Sequence, residues 1–167
     1  MMYAMIPVYY PSIETASSQD EKEMWMENRR INLDCKRFIE DRASAAYNTR
    51  ELDLFIKDLV EQYGVERAMY VLSRTVQYME WDGRFSTVVR ERAAGFDFPD
   101  MHTQAVKKAL TQEDAAYADR SRTYVTDVHP CIVNGIFREL MKIEEQKNME
   151  DENELNMELN EDIGQEM

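Results

Sequence analysis

Residues 48–84 read NTRELDLFIKDLVEQYGVERAMYVLSRTVQYMEWDGR, and the spacing of their apolar side chains decides the fold class. Leu52, Phe55, Leu59, Val60 and Tyr63 recur at intervals of three and four, as one face of a helix requires. That stripe stops at Gly64, the residue type that most readily takes the left-handed position closing a helix. A second stripe, Met69, Leu72, Val76 and Met79, follows at once and predicts a helix from about Val65 to Glu80. It ends at Trp81-Asp82-Gly83-Arg84, where Asp-Gly supplies turn chemistry. Asn48 and Glu51 stand where a capping box would open the first of the pair.

Working outward, Ser18-Gln19-Asp20-Glu21 has the same capping pattern. Behind it Met24, Asn28, Ile31, Cys35, Phe38, Ile39, Arg42 and Ala46 mark one long helix. Downstream, Ser86 caps a short helix to Ala94, closed by Gly95, and Phe96-Asp97-Phe98-Pro99 is a loop pinned by two aromatics. In 101–126 the pattern is weak: Thr111 is placed to cap a helix through Ala118, and Tyr124-Val125 reads as extended. Pro130, after His129, suits the first turn of a last helix faced by Ile132, Val133, Ile136, Phe137, Leu140 and Met141. Residues 1–12 form an extended arm, since Pro7 and Pro11 exclude a central strand. No internal repeat is visible.

Five glycines and four prolines in 167 residues are too few for a β-sandwich, which turns about every 8–12 residues. The expected fold is all-α: a compact multi-helix domain (1–143) with an extended N-terminal arm and an acidic C-terminal tail (144–167). Glu144 to Met167 holds ten carboxylates and one lysine, a charge of −9 that leaves only −4 of the total −13 to residues 1–143. The tail repels nucleic acid; the body is nearly balanced. Leu155, Leu159 and Ile163 lie four apart and would face one side of a helix, with Met157 nearby. Repulsion among the carboxylates opposes that helix in isolation, so the expectation is disorder that folds on a partner.

Two cysteines, Cys35 and Cys131, allow one bridge at most, which fits a reducing compartment better than a secreted scaffold. The apolar start MMYAMIPVYY lacks a basic n-region and is broken by proline, so it reads as neither signal peptide nor membrane span. A cytoplasmic protein is expected, with no membrane partner. His102, His129, Cys35 and Cys131 lack the spacing of a zinc site, so His129 reads as a structural histidine at a helix start and Cys35 as a packing residue. Phosphate-binding glycine loops and the G-x-S-x-G elbow are missing from the sequence, and no cofactor, metal or catalytic residue is assigned.

The most pointed local cluster is Trp81-Asp82-Gly83-Arg84. Its bland reading is a helix end with Trp81 packed and Arg84 exposed. Its functional reading is a binding hot spot, because Trp and Arg dominate such sites. Arg67, Arg74, Arg84, Arg90 and Arg92 gather here with Tyr70 and Tyr78, a composition that in an acidic chain fits a protein interface better than nucleic acid. The candidate partner-binding residues are therefore Trp81, Asp82, Arg84, Tyr78 and Arg74 in the body. In the tail they are Glu150, Asp151, Glu152, Glu154 and Glu158. Met24, Met26, Met149, Met157 and Met167 are expected at surfaces, where flexible apolar groups suit an adaptable interface.

Several stretches also carry a resemblance: Pro7-Val8-Tyr9, Asn32-Leu33-Asp34-Cys35-Lys36, Tyr63-Gly64-Val65-Glu66-Arg67, Tyr70-Val71-Leu72-Ser73-Arg74-Thr75-Val76-Gln77, Trp81-Asp82-Gly83-Arg84-Phe85-Ser86 and His129-Pro130. From Val8 to about Leu140 their order resembles an uncharacterised bacterial domain family common on conjugative and other mobile elements of gut Firmicutes. The resemblance assigns no activity and leaves the tail outside. What it implies is context, because small acidic proteins of mobile elements often resemble inhibitors of host restriction or CRISPR systems. The leading expectation is thus a non-enzymatic counter-defence inhibitor that binds a basic nucleic-acid-handling protein, a Cas9-type effector or a restriction enzyme, and blocks its DNA or RNA binding. Strong direct DNA binding is not expected. A regulatory or scaffolding module of a conjugative element is the alternative, and a nuclease using unrecognised carboxylates the third.

Overall fold

In the computed structural model the described residues are 19–79, 81–96 and 124–165. They form α1 (Gln19–Asn48), α2 (Leu52–Tyr63), α3 (Val65–Tyr78), α4 (Thr87–Ala94) and α5 (Pro130–Gln165), with no strand among them. The all-α expectation holds, and the helix pair read from residues 48–84 is present. The N-terminal arm, the capping Ser18 and the Thr111–Ala118 segment lie outside the described residues.

Four-residue spacing explains how α1 packs. Ile31, Cys35, Ile39 and Ala43 lie one turn apart and are all buried. The same face presents Phe38, whose ring stacks on Phe55 of α2 (centroids 5.6 Å apart) and meets Tyr63 edge-on (5.6 Å). Arg42 lies over the Phe38 ring at 4.6 Å and reaches Asp58 at 3.2 Å, so α2 runs back along α1. α3 is the central helix: Ala68, Met69, Val71, Leu72 and Val76 are all buried. Its apolar side joins Leu59 of α2 and Val133, Ile136, Phe137 and Leu140 of α5 in one core. Each such side chain contributes about 1.5–3 kcal/mol by leaving water.

The connections show where local sequence rules were overridden. The expected Asn48–Glu51 capping box does not form: Asn48 ends α1, and Glu51 caps α2 without a side-chain hydrogen bond. Instead the Glu51 amide closes back on the Ala46 carbonyl (2.8 Å), the Thr49 hydroxyl donates to the Ala45 carbonyl (3.0 Å), and Arg50 takes a positive φ of 61°. Closing α1 therefore uses the groups that a box would have used to open α2. Gly64 does have positive φ (83°), but its ψ of 157° is extended rather than left-handed helical. That combination is essentially restricted to glycine and lets α3 begin one residue after α2 ends.

Ser86 caps α4 as read, accepting from the Val89 amide. The segment before α5 is fastened to two helices. Thr75 of α3 accepts the Val125 amide (2.8 Å), and Glu40 of α1 accepts both the amide and the hydroxyl of Thr126 (2.7 and 2.6 Å). α5 then begins at Pro130 as expected and does not stop with its apolar stripe. It continues as helix to Gln165, where the sequence pointed to a tail that is disordered or becomes helical on a partner. The packed half supplies the costly nucleus, and propagation through Glu-, Met-, Leu- and Asn-rich sequence without Gly or Pro before Gly164 costs little.

Candidate functional site

The turn between α3 and α4 is built around a buried carboxylate. Asp82 is only 4% exposed and accepts from the Arg84 amide (2.9 Å), Nε (2.9 Å) and Nη2 (2.7 Å). The Arg84 hydrogen bonds hold its carboxyl below the usual range, at about 2. Arg90 of α4 donates to the Asp82 and Phe85 carbonyls, and the Ser86 amide donates to Oδ1 of Asn134 on α5 (2.9 Å). Arg84 Nη1 lies 3.1 Å from Nε2 of His129, whose Nδ1 meets the Cys131 amide at 3.1 Å. His129 thus works at the start of α5, as its structural reading expected.

The bland reading of this turn is corrected at one residue. Trp81 is 75% exposed rather than packed, because Asp82 takes the inward position and the turn closes on the Asp82–Arg84 pair. Tyr78, 59% exposed, stacks on Tyr124 with ring centroids 4.1 Å apart and an interplanar angle of 13°. Arg74, one helical turn before Tyr78, is half-buried. A rigid turn therefore presents an indole beside a partly exposed guanidinium, with a tyrosine pair on the preceding helix end. Such an exposed indole, guanidinium and tyrosine pair has the side-chain types that dominate binding hot spots.

The other arginines of the region are held by the fold. Arg92 pairs with Glu144 of α5 (3.0 Å) and lies over the Phe96 ring at 4.6 Å. Arg67, fully buried, donates to Oδ1 of Asn32 (2.7 Å) and of Asn28 (3.0 Å) across the α1–α3 contact. Reading Arg67 with the surface arginines missed this role. The available signal was Asn28 and Asn32, four apart on a face otherwise apolar. Cys35 lies beneath, and burial pushes its thiol well above the usual range; Cys131 is an exposed free thiol. Among the described residues no three His, Cys, Asp or Glu side chains are grouped to hold a metal ion, and no helix is long and apolar enough to cross a membrane.

The tail carboxylates occupy a second place. Glu150, Asp151, Glu152, Glu154 and Glu158 are all exposed on α5, as are Met149, Leu155 and Met157. At about 100° per residue, Glu150, Asp151, Glu154 and Glu158 share an arc of roughly 100°, and Glu152 falls on the far side. From Asn134, beside the Trp81 turn, to Glu150 is about 24 Å along the helix axis. The two groups of candidate residues are therefore not brought together; one rod joins them.

A helical domain with a fastened aromatic–arginine turn and a projecting acidic helix defines the class. The chain belongs to the family described as Protein of unknown function (DUF3849), whose model matches residues 8–146. No curated protein and no solved structure matches it. The family match ends just inside the acidic segment, so eight of the tail's ten carboxylates lie beyond it.

Proposed function

We propose that this protein is a non-enzymatic inhibitor that presents the acidic half of α5 to a basic nucleic-acid-handling protein and blocks its hold on DNA or RNA. The observation that carries the reading is that residues 146–158 are helical and exposed, with Glu150, Asp151, Glu152, Glu154 and Glu158 among them. From Glu144 to Asp162 the sequence has nine carboxylates, spread over about 27 Å of helix, or roughly one per 3 Å. A DNA strand offers one phosphate per about 3.4 Å, so a groove built for phosphates meets a similar charge density. Trp81, with Arg84 and Tyr78, supplies a separate anchor whose shape fixes the target. A Cas9-type effector or a restriction enzyme is the concrete target, and a mobile-element setting, which the resemblance implies, would bring the protein into contact with both.

The test is direct binding to a purified guide-loaded Cas9-type nuclease and to a restriction endonuclease. The full chain, a chain ending at Lys147 and Trp81→Ala are compared. Loss of the tail should remove most of the affinity at low salt, and Trp81→Ala should weaken it roughly 30-fold, as a hot-spot tryptophan does. Binding that survives both changes refutes the reading. Affinity indifferent to salt favours the scaffolding alternative, in which Met149, Leu155 and Met157 dock on an apolar surface.

A further inference from the structure

α5 changes character along its length without changing face. At about 100° per residue, Ile132, Val133, Ile136, Phe137 and Leu140 share an arc of roughly 140°, and all five are buried against the body. Glu144 lies on that arc, and Arg92 of α4 meets it at 3.0 Å. Beyond it the same arc carries Glu150, Asp151, Glu154 and Glu158, all exposed, and positions 161 and 162 (Glu161 and Asp162) continue the register. Lys147 is the one cation on it, and Leu155 marks its edge. Glu145 and Glu152 fall outside. The row that is apolar where the body covers it becomes a row of carboxylates where the body ends.

We infer that this face, rather than the charge of the tail at large, is a docking surface for a basic helix of a protein partner, laid along α5 in the space beside the body. The inference rests on the reading above that the partner is basic, and adds which side it meets. Charge complementarity chooses the occupant: nucleic acid and a second copy of this chain would each bring like charge to the row. The geometry of the first contact gives its form. α4 is a helix packed on this face, and its Arg92, steadied by the Phe96 ring, already reaches the first carboxylate. A partner helix would take the same position further along, placing arginine or lysine at one-turn intervals against Glu150, Glu154 and Glu158.

Two full-length variants with equal charge change test this: Glu154→Gln with Glu158→Gln on the face, and Glu145→Gln with Glu152→Gln off it. The probe is a synthetic helical peptide bearing arginine at every fourth position, with a DNA duplex as the like-charge control. Circular dichroism checks that both variants keep their helix. The wild-type chain should bind the peptide and not the duplex. The on-face pair should weaken peptide binding about fivefold or more, and the off-face pair less than about twofold. Equal weakening by both pairs, no weakening by the on-face pair, or no peptide binding overturns the inference. Inhibition of a nuclease that survives equal weakening would sink only the choice of face. A clear split between the pairs without any inhibition would sink only the proposed function.

Discussion

The Arg67 guanidinium has no solvent exposure, and on α1 it donates to the side-chain oxygens of Asn28 and Asn32. Removing an acceptor from a buried guanidinium leaves desolvation uncompensated, so Asn32→Ala should cost about 1–3 kcal/mol. A urea-unfolding free energy lowered by less than about 0.3 kcal/mol would show that Arg67 does not depend on this contact. Asp82 gives a second residue-level expectation. Arg84 depresses its carboxyl in the folded state to about 2, below the value near 3.8 of a free aspartate. The ionised carboxylate therefore stabilises the fold above roughly pH 4, and that contribution fades as pH falls toward 2. Asp82→Asn should flatten the acid limb of the stability curve over that window, and an unchanged limb contradicts the assignment. Sequence pattern revealed the turn but not which of its side chains faces inward. Trp81 is the most apolar member, yet the turn's hydrogen bonds require Asp82 inside.

Among the elements, the helix starts were the more legible ends. Pro130 and Ser86 act through local backbone chemistry, which short sequence windows contain. The Asn48–Glu51 box failed because the end of α1, an event of the preceding helix, had already taken those groups. At Ile143 composition changes and conformation does not: α5 runs on as helix where the sequence suggested disorder that folds on a partner. Charge repulsion argued for disorder, but it acts on a helix already nucleated by five buried side chains. A chain ending at Lys147 should keep its thermal midpoint within a few degrees, since the exposed half contributes no core. Its helical circular dichroism should fall by the share of residues 148–165, which α5 carries as helix. An undiminished signal would mean that the tail is not helical before it meets a partner.

At the scale of the whole molecule, charge and shape divide the chain in the same place. The body, nearly neutral, buries its apolar faces and holds most of the nearby arginines in internal contacts. The tail holds −9 of the −13 charge on a helix that projects from that body. The sequence alone showed this division but not its geometry, because a run of carboxylates reads the same whether coiled or extended. Helical periodicity turns the run into a face, and α5 sets it about 24 Å along the helix axis from Asn134, beside the Trp81 turn. The central claim is that this acidic helix stands in for a nucleic-acid backbone. Its most direct test is displacement of a fluorescent DNA duplex from a guide-loaded Cas9-type nuclease at about 50 mM and about 200 mM salt. The full chain should displace the duplex at the lower salt and much less at the higher, while the chain ending at Lys147 should fail at both. Equal displacement by the two chains, or none by the full chain at low salt, would contradict the claim.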